Sequence, residues 1–173
     1  TTKKEFERYI DDFEDISTNV DVKNNIPVNN KVFIVHGHDG ELKEKVARRL
    51  EQQGIEAIIL SEQANRGRTI IEKIEAYSDV HVAIALFTQD DIGAVKEEKG
   101  NEKYRARQNV VFEAGYFVGY LGRENVIMIA EENLEIPGDL SGMVYTTKDN
   151  WEFEMLKELK AAGMKIDMNK LIG

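Results

Sequence analysis

From Lys31 onward, short apolar runs alternate with amphipathic stretches, and this alternation restricts the possible folds more than any other feature of the chain. Residues 32–35 form a continuous apolar run, which is typical of a strand buried on both faces. Leu42, Val46 and Leu50 then recur at every fourth residue, as apolar positions do along one helix face. The pattern continues with strands predicted at 55–60, 80–87, 126–129 and 143–145, and helices at 70–77, about 105–120 and 153–159. Such alternation predicts right-handed crossovers and a parallel sheet covered on both faces.

Five strands in this rhythm predict an α/β domain with a flavodoxin-like, doubly wound five-stranded parallel sheet of order 2-1-3-4-5. In such a sheet, ligands bind outside the carboxyl ends of the strands, at the point where the strand order reverses. Here the reversal lies between strands 1 and 3, so the bordering loops are residues 36–40 and the segment from Thr88 onward. We expect a polar loop from about Thr88 to Tyr104, and we expect function at this crevice.

The first 30 residues differ in pattern from the rest of the 173-residue chain. Phe6, Tyr9, Ile10 and Phe13 have the spacing of one helix face, and a stretch rich in Ser, Thr, Asn and Val follows. We interpret residues 1–30 as a short helix with a linker, and residues 31–173 as one globular domain. The short helix either packs on the domain or is the end of an absent upstream module.

Composition excludes several classes of function. A net charge of −9 argues against binding of a nucleic-acid polymer, which needs a basic face, although a local basic spot still allows a small phosphorylated ligand. The chain has no cysteine, which excludes disulfides, a thiolate nucleophile and zinc–thiolate sites. Because no apolar run approaches 18 residues and no leader pattern is present, we expect a cytoplasmic protein without membrane contact.

The loop after the first strand contains His36, Gly37, His38, Asp39 and Gly40. Two glycines in a strand-to-helix turn let backbone N–H groups approach a ligand, and the helix N-terminus favours an anion. Asp39 is a candidate helix cap, so a tight capped turn without a ligand is the alternative. The two histidines alternate along an extended segment, so we expect one of them to face the crevice, and we predict no metal site because a third ligand is missing.

Arginines lie in two further segments near the crevice. Arg66 and Arg68 follow the second strand, whereas Arg105 and Arg107 precede the helix after the third. A guanidinium at such a place contacts either a phosphate or a neighbouring subunit. A solvated loop explains the first pair equally well.

The helix predicted after the third strand carries a carboxylate at the border of its apolar face. Glu113 lies about 80° from the centre of that face at ~100° per residue, with Asn109, Tyr116 and Tyr120 on the same flank. This place, early in the helix that follows the crevice loop, suits a group that reaches a ligand. The alternative is a glutamate that merely favours the positive helix N-terminus. Gly115 and Gly119 each cost about 1 kcal/mol inside a helix, which suggests close packing or ligand approach.

Three segments together resemble the TIR-like family of bacterial nucleotide-binding proteins: VFIVHGHD at 32–39, GRTIIEK at 67–73 and RQNVVFEAGY at 107–116. The resemblance covers about residues 31–147 and implies a TIR-like nucleotide-binding domain. The family is similar to TIR domains of anti-phage effectors, several of which cleave NAD+ at the nicotinamide–ribose bond. It implies NAD+ as substrate, no required cofactor, and self-association through the loop at 61–68.

Residue by residue, the resemblance places the catalytic glutamate of the family at Glu113. The turn from His36 to Asp39 is then expected near the phosphates or ribose. With the crevice loops and the helix flank, we predict the following nucleotide contacts: His36, Gly37, His38, Asp39, Arg68, Phe87, Arg107, Asn109 and Tyr116. The long charged insertion at 90–103 and the lack of the tryptophan pattern of animal TIR domains are departures that concern the pocket walls.

Two other functions fit the same residues. One is a nucleoside deoxyribosyltransferase-like enzyme that forms a covalent ester at Glu113, although the loop arginines suit a phosphorylated ligand better. The other is a non-catalytic module that binds a nucleotide or a partner TIR domain. A response-regulator receiver is excluded because Phe87 and Thr88 stand where strand 3 would need a phospho-acceptor aspartate.

Overall fold

The structure is a computed structural model that describes residues 28–38, 40–64 and 66–171. The helix expected within residues 1–30 and the cap expected at Asp39 lie outside the described residues. Eight strands and four helices follow one another in the described part, with short 3₁₀ turns between them. The strands are β1 (Lys31–Val35), β2 (Glu56–Ile59), β3 (Val82–Phe87), β4 (Asp91–Gly93), β5 (Lys103–Arg105), β6 (Val126–Ala130), β7 (Leu134–Glu135) and β8 (Val144–Thr146). The helices are α1 (Gly40–Gln52), α2 (Ile70–Tyr77), α3 (Gln108–Leu121) and α4 (Trp151–Ala161).

Five of the strands form the predicted parallel sheet. Its order is β2-β1-β3-β6-β8, and every neighbouring pair is parallel. Counted along the chain within this sheet, the order is 2-1-3-4-5, so the predicted flavodoxin-like topology is confirmed. The ends of the central strands β1, β3 and β6 differ by at most two residues from the ends that the apolar runs predicted. Strand β8, at the edge of the sheet, is the least buried of the five.

Alternate residues of the sheet belong to two separate cores, because successive side chains of a strand point to opposite faces. Val32 and Ile34 pack with apolar residues of α1 and α4 on one face. Phe33 and Val35 pack with residues of α2 and α3 on the other. On this second face the ring of Phe117 in α3 lies 4.6 Å from the ring of Phe33. The helices α2 and α3 are therefore neighbours over the face that leads to the crevice.

The loop expected from Thr88 to Tyr104 is wrong in part, because this segment contains β4 and β5. The two strands pair antiparallel, and β7 pairs parallel with β5 to complete a second, three-stranded sheet. An ion pair between Arg105 and Glu135 links β5 to β7. Strands of two or three residues with mostly exposed side chains contain no apolar run, so periodicity did not reveal them. None of the helices in the described segments combines the length and apolarity needed to cross a bilayer.

The contact between Phe117 and Phe33 predicts a large effect on stability. Phe117 is fully buried, so Phe117→Ala leaves a cavity between α3 and β1 and lowers the free energy of unfolding by about 3–5 kcal/mol. Phe112 lies on the same helix but is 57% exposed, and Phe112→Ala changes the same quantity by less than about 0.5 kcal/mol. Urea unfolding of both variants measures the difference. Equal losses would contradict the packing described for α3.

Candidate functional site

The crevice lies at the carboxyl edge of the sheet, where β1 is flanked by β2 and β3. Helix α1 leads from β1 to β2 on one side, whereas the following crossover returns over the other face to β3. Three segments leave the strands at this edge: His36–His38 after β1, a 3₁₀ turn at Leu60–Glu62 after β2, and residues 88–90 after β3. This is the position where parallel α/β sheets bind ligands.

The imidazole of His36 connects the ends of β1 and β2. Its Nδ1 lies 2.8 Å from the carbonyl oxygen of Gly37, and its Nε2 lies 3.2 Å from Oγ of Ser61. A carbonyl oxygen only accepts, so Nδ1 carries a hydrogen and donates it to Gly37, and Nε2 pairs with the hydroxyl of Ser61. The side chain of His36 is half-buried and that of His38 is exposed. The two histidines therefore differ in environment, as their alternation predicts.

The space above Gly37 is filled by a residue that the sequence analysis did not select. A Cβ at Gly37 would lie 1.8 Å from Oδ2 of Asp90, so the carboxylate occupies the place of a side chain. Oδ1 of Asp90 accepts a hydrogen bond from the backbone N–H of His38 at 2.9 Å. The missing side chain of Gly37 thus leaves room for Asp90, and the backbone N–H of His38 already has an acceptor within the protein.

The loop between β2 and α2 is fixed at both of its ends. The ammonium of the buried Lys73 donates to the carbonyl oxygens of Leu60 and Gln63, at 2.9 Å each. Thr69 begins α2 with a capping box, in which its hydroxyl accepts from the N–H of Glu72 and the carboxylate of Glu72 accepts from the N–H of Thr69. The backbone N–H of Thr69, and next its hydroxyl, donate to the carboxylate of Glu72 and hold the pKa of Glu72 below its usual range. Arg68 lies exposed just before this cap.

Glu113 lies at the height of the last residue of β1. Helix α3 connects two parallel strands, so it runs opposite to them and begins near the crevice. From Phe117, which contacts Phe33, one step of four residues back along the helix covers about 6 Å. Two residues forward along β1, from Phe33 to Val35, cover about 6.6 Å. Helical side chains also tilt toward the helix N-terminus, which brings the carboxyl group of Glu113 closer to the turn at His36.

Glu113 and the cavity beside α3 lie on opposite flanks of the helix. Val111 lies on the opposite flank, since two residues are about 160° apart around a helix. There it lines a cavity of about 420 Å³ together with residues that follow β6; the lining is Arg105, Ala106, Gln108, Val111, Glu135, Ile136, Pro137 and Gly138. Tyr116 shares the flank of Glu113, and its ring stacks on that of Tyr120 at 5.7 Å. The exposed Asn109 lies one turn before Glu113 on the same flank.

The carboxyl group of Glu113 has an unusual proton affinity. Burial of the group raises its pKa from 4.5 to about 7, with no other cause. Within the described residues, no hydrogen-bond donor or cation compensates for this burial. A half-buried carboxylate without a partner costs free energy in the folded protein, and such costs are typical of functional sites. The structure therefore singles out Glu113 as the candidate for chemistry.

The remaining residues that were predicted to contact a nucleotide differ in how exposed they are. Phe87 is fully buried in the core, and its carbonyl oxygen accepts a hydrogen bond from the N–H of Glu131. Arg107 is half-buried at the start of α3. Asp39 lies outside the described residues. All the expected nucleotide contacts stay predictions, namely those at His36, Gly37, His38, Asp39, Arg68, Phe87, Arg107, Asn109 and Tyr116. Within the described segments, no three carboxylates or histidines are grouped as metal ligands.

Gly115 and Gly119 do not pack closely, contrary to one of the two explanations offered for them. A Cβ at either position would meet nothing within 4 Å outside its own helix backbone, and both residues are exposed.

Two contacts at the crevice were missed by sequence reasoning, namely Asp90 and Ser61. The only sequence signal for Asp90 is a Thr-x-Asp spacing directly after β3, because Thr88 donates to its carboxylate.

Comparisons with known proteins agree with this fold. Residues 31–150 match the family model described as the TIR domain of CAP12/Pycsar effector proteins. Uncharacterized protein YuaY of Escherichia coli is 47% identical over 150 residues, which are 84% of this chain and 50% of that protein. Protein tirC of Dictyostelium discoideum is 39% identical over 140 residues, 75% of this chain and 68% of that protein.

A third relative matches over a shorter stretch. CD-NTase-associated protein 12 of Sphingobacterium faecium is 33% identical over 79 residues, which are 44% of this chain and 24% of that protein. The chain thus spans about half the length of YuaY and about a quarter of CD-NTase-associated protein 12.

The raised pKa of Glu113 predicts a pH-dependent stabilisation by Glu113→Gln. The folded protein holds this proton more tightly than the unfolded chain, so the wild-type free energy of unfolding falls as pH rises from 4.5 to about 7. Glutamine cannot ionise and avoids this loss. With an allowance for solvent screening of a half-buried group, the variant gains about 1–2 kcal/mol over wild type at pH 8 and almost nothing at pH 4.5.

Urea unfolding at the two pH values measures this gain. The matched control is Glu51→Gln at the exposed end of α1, which removes one negative charge from the opposite face of the sheet. An equal gain in both variants at pH 8 would mean that net charge, and not burial of Glu113, is responsible.

Proposed function

Because the chain belongs to the family of CAP12/Pycsar effector TIR domains, we propose that it binds NAD+ at the crevice and hydrolyses the nicotinamide–ribose bond. The products are nicotinamide and ADP-ribose, or a cyclic form when adenine of the same molecule replaces water. The reaction needs no cofactor. One observation supports this proposal above all others: Glu113 is a half-buried carboxyl group that has no partner among the described residues, and it lies at the height of the last residue of β1.

Cleavage of the nicotinamide–ribose bond needs one ionised carboxylate beside the ribose and no general acid. The nicotinamide ring of NAD+ is cationic, so the C1′–N bond breaks with its electron pair moving to the ring nitrogen, which becomes neutral. Positive charge then develops at C1′ as an oxocarbenium ion, as in glycoside hydrolysis. Fixed negative charge in a site shielded from water stabilises such a cation. Water forms the new bond to C1′ and releases one proton.

The surroundings of Glu113 suggest how the dinucleotide would lie. In this proposal the dinucleotide touches both the turn at His36 and the flank of α3 that carries Asn109 and Tyr116, and it therefore lies across the end of β1. Arg68 and Arg107 are the cations proposed to approach the pyrophosphate, because a guanidinium forms paired hydrogen bonds with phosphate oxygens.

We extend the proposal to the biological role by way of the relatives. The matched family is described by its effector proteins. We therefore propose that this chain is an effector domain of anti-phage defence or signalling, and that self-association through the loop at residues 61–68 activates it. A covalent ester at Glu113 with free deoxynucleosides remains the competing chemistry, and a non-catalytic binding module is the competing role.

Glu113→Gln tests the reaction. Glutamine keeps the shape but cannot carry the negative charge that stabilises the oxocarbenium ion, so the rate of nicotinamide release falls by at least about 100-fold. Chromatography of NAD+ incubated with concentrated protein, alone and fused to an oligomer that forces clustering, measures the release. Glu51→Gln, on the other face of the sheet, keeps the wild-type rate.

Separate reactions distinguish the alternatives. Base release from deoxynucleosides but not from NAD+ would establish the transferase reaction. If clustered wild-type protein binds NAD+ in calorimetry and releases no nicotinamide, the domain is a binding module and the hydrolase proposal is wrong.

The pKa of Glu113 also predicts the pH dependence of the reaction. Only the ionised carboxylate stabilises the cation, so kcat/KM rises with pH up to about 7 and is level above it. Bound NAD+ brings the cationic nicotinamide near the carboxylate and favours its ionised form, so the midpoint of kcat lies at lower pH. Initial rates between pH 5 and 9 at low and saturating NAD+ test both statements. A kcat/KM that does not change over this range would show that ionisation of Glu113 does not control the reaction.

A further inference from the structure

The carboxylate of Asp90 joins the two loops that border the crevice. Its Oδ1 accepts the backbone N–H of His38 in the turn after β1, at 2.9 Å. Its Oδ2 accepts the hydroxyl of Thr88 at 2.7 Å, and Thr88 is buried at the end of β3. The turn after β1 is thereby tied to the end of the neighbouring strand through one side chain.

The close approach of Asp90 to Gly37 makes this contact specific. Oδ2 lies where a side chain at Gly37 would begin, 1.8 Å from an ideal Cβ. Only glycine leaves this space, because every other residue would push the carboxylate away. The glycine and the aspartate, 53 positions apart in the sequence, thus fit each other as a pair.

The segment that carries Asp90 is itself held from the opposite side. The N–H of Gln89 donates to the carboxylate of Glu131 at 2.9 Å, and its side-chain amide donates to the carbonyl oxygen of Glu132 at 2.8 Å. The N–H of Glu131 donates to the carbonyl oxygen of Phe87. The loop after β3 is therefore bonded to the loop after β6, so Asp90 extends from a fixed support toward the turn after β1.

We propose that Asp90 is a positioning residue, which presets the turn at His36–His38 for the ribose and phosphates of NAD+. The inference rests on the proposed function for the identity of the ligand. Asp90 acts through the backbone of the turn, because its two oxygens already accept hydrogen bonds from Thr88 and His38. Its contribution is geometric, and it depends on an acceptor at Oδ1 and not on the negative charge.

Asp90→Ala and Asp90→Asn separate geometry from charge. Asparagine keeps an oxygen that accepts from His38, and its amide donates to Thr88, so NAD+ hydrolysis stays within about 3-fold of wild type. Alanine removes the acceptor and releases the turn, which raises KM by about 10–100-fold with a smaller change in kcat. The control is Asp91→Ala, the exposed neighbouring carboxylate in β4, which keeps the wild-type KM. Equal losses of kcat in the alanine and asparagine variants would overturn the proposal in favour of a role for the charge.

Two measurements keep the inference independent of the proposed reaction. Hydrogen exchange of the His38 amide is expected to be at least about 10-fold faster in Asp90→Ala than in wild type and unchanged in Asp90→Asn. The double variant Gly37→Ala/Asp90→Ala is expected to bind NAD+ no more weakly than Asp90→Ala, whereas Gly37→Ala alone impairs binding, because the two changes act on one contact. Additive losses, or unchanged exchange at His38, would refute the positioning role. If wild-type protein leaves NAD+ intact while the exchange result holds, the proposed function fails and the role of Asp90 in fixing the turn stands.

Discussion

The parallel pairing of β1 with both β2 and β3 is the constraint from which the crevice follows. The register aligns Val35, the last residue of β1, with Ala85, so β3 continues for two more residues beyond the end of β1. At about 3.3 Å per residue, the loop after β3 begins about 6.6 Å farther along and overhangs the turn after β1. This overhang brings Asp90 over Gly37. The contact that closes one side of the crevice is thus a consequence of strand register rather than of loop flexibility.

Local patterns of apolar residues explain which parts of the fold and the site could be predicted from the sequence. The buried strands β1, β3 and β6 were found because strands covered on both faces are continuous apolar runs. The flank of Glu113 was found because helical periodicity fixes directions around an axis. Strands β4 and β5 were missed because they are held by main-chain pairing and by Arg105–Glu135, which leaves no apolar pattern. The role of Asp90 was missed because it depends on residues 53 positions apart meeting at one edge, and no local pattern encodes that meeting.

The burial of Glu113 lowers the stability of the folded protein whenever its carboxyl group is ionised. Val110 and Ala114 on either side of it are buried and hold α3 on the sheet, so the carboxyl group is drawn partly into the core. Burial raises its pKa to about 7, which means that the ionised form is present at neutral pH only at a cost to the folded state. A salt bridge to a neighbouring cation would remove this cost, but it would also neutralise the negative charge that the proposed reaction uses. The lack of a partner within the described residues therefore suits a group whose partner is a ligand.

The insertion between β3 and α3 affects the site through its two ends. The chain enters it from Gln89 and Asp90, which are bonded to the loops after β6 and β1. It leaves through Arg105, which is paired with Glu135 in β7, and the buried Ala106. One end of the insertion is therefore bonded to the segments that follow β1 and β6, and the other end is bonded to β7. The sequence and length of the part between these ends can change without moving the start of α3. The position of Glu113 along the crevice depends on where α3 begins. Because both ends of the charged insertion are bonded to the rest of the domain, the insertion leaves the start of α3, and with it the carboxyl group of Glu113, in place.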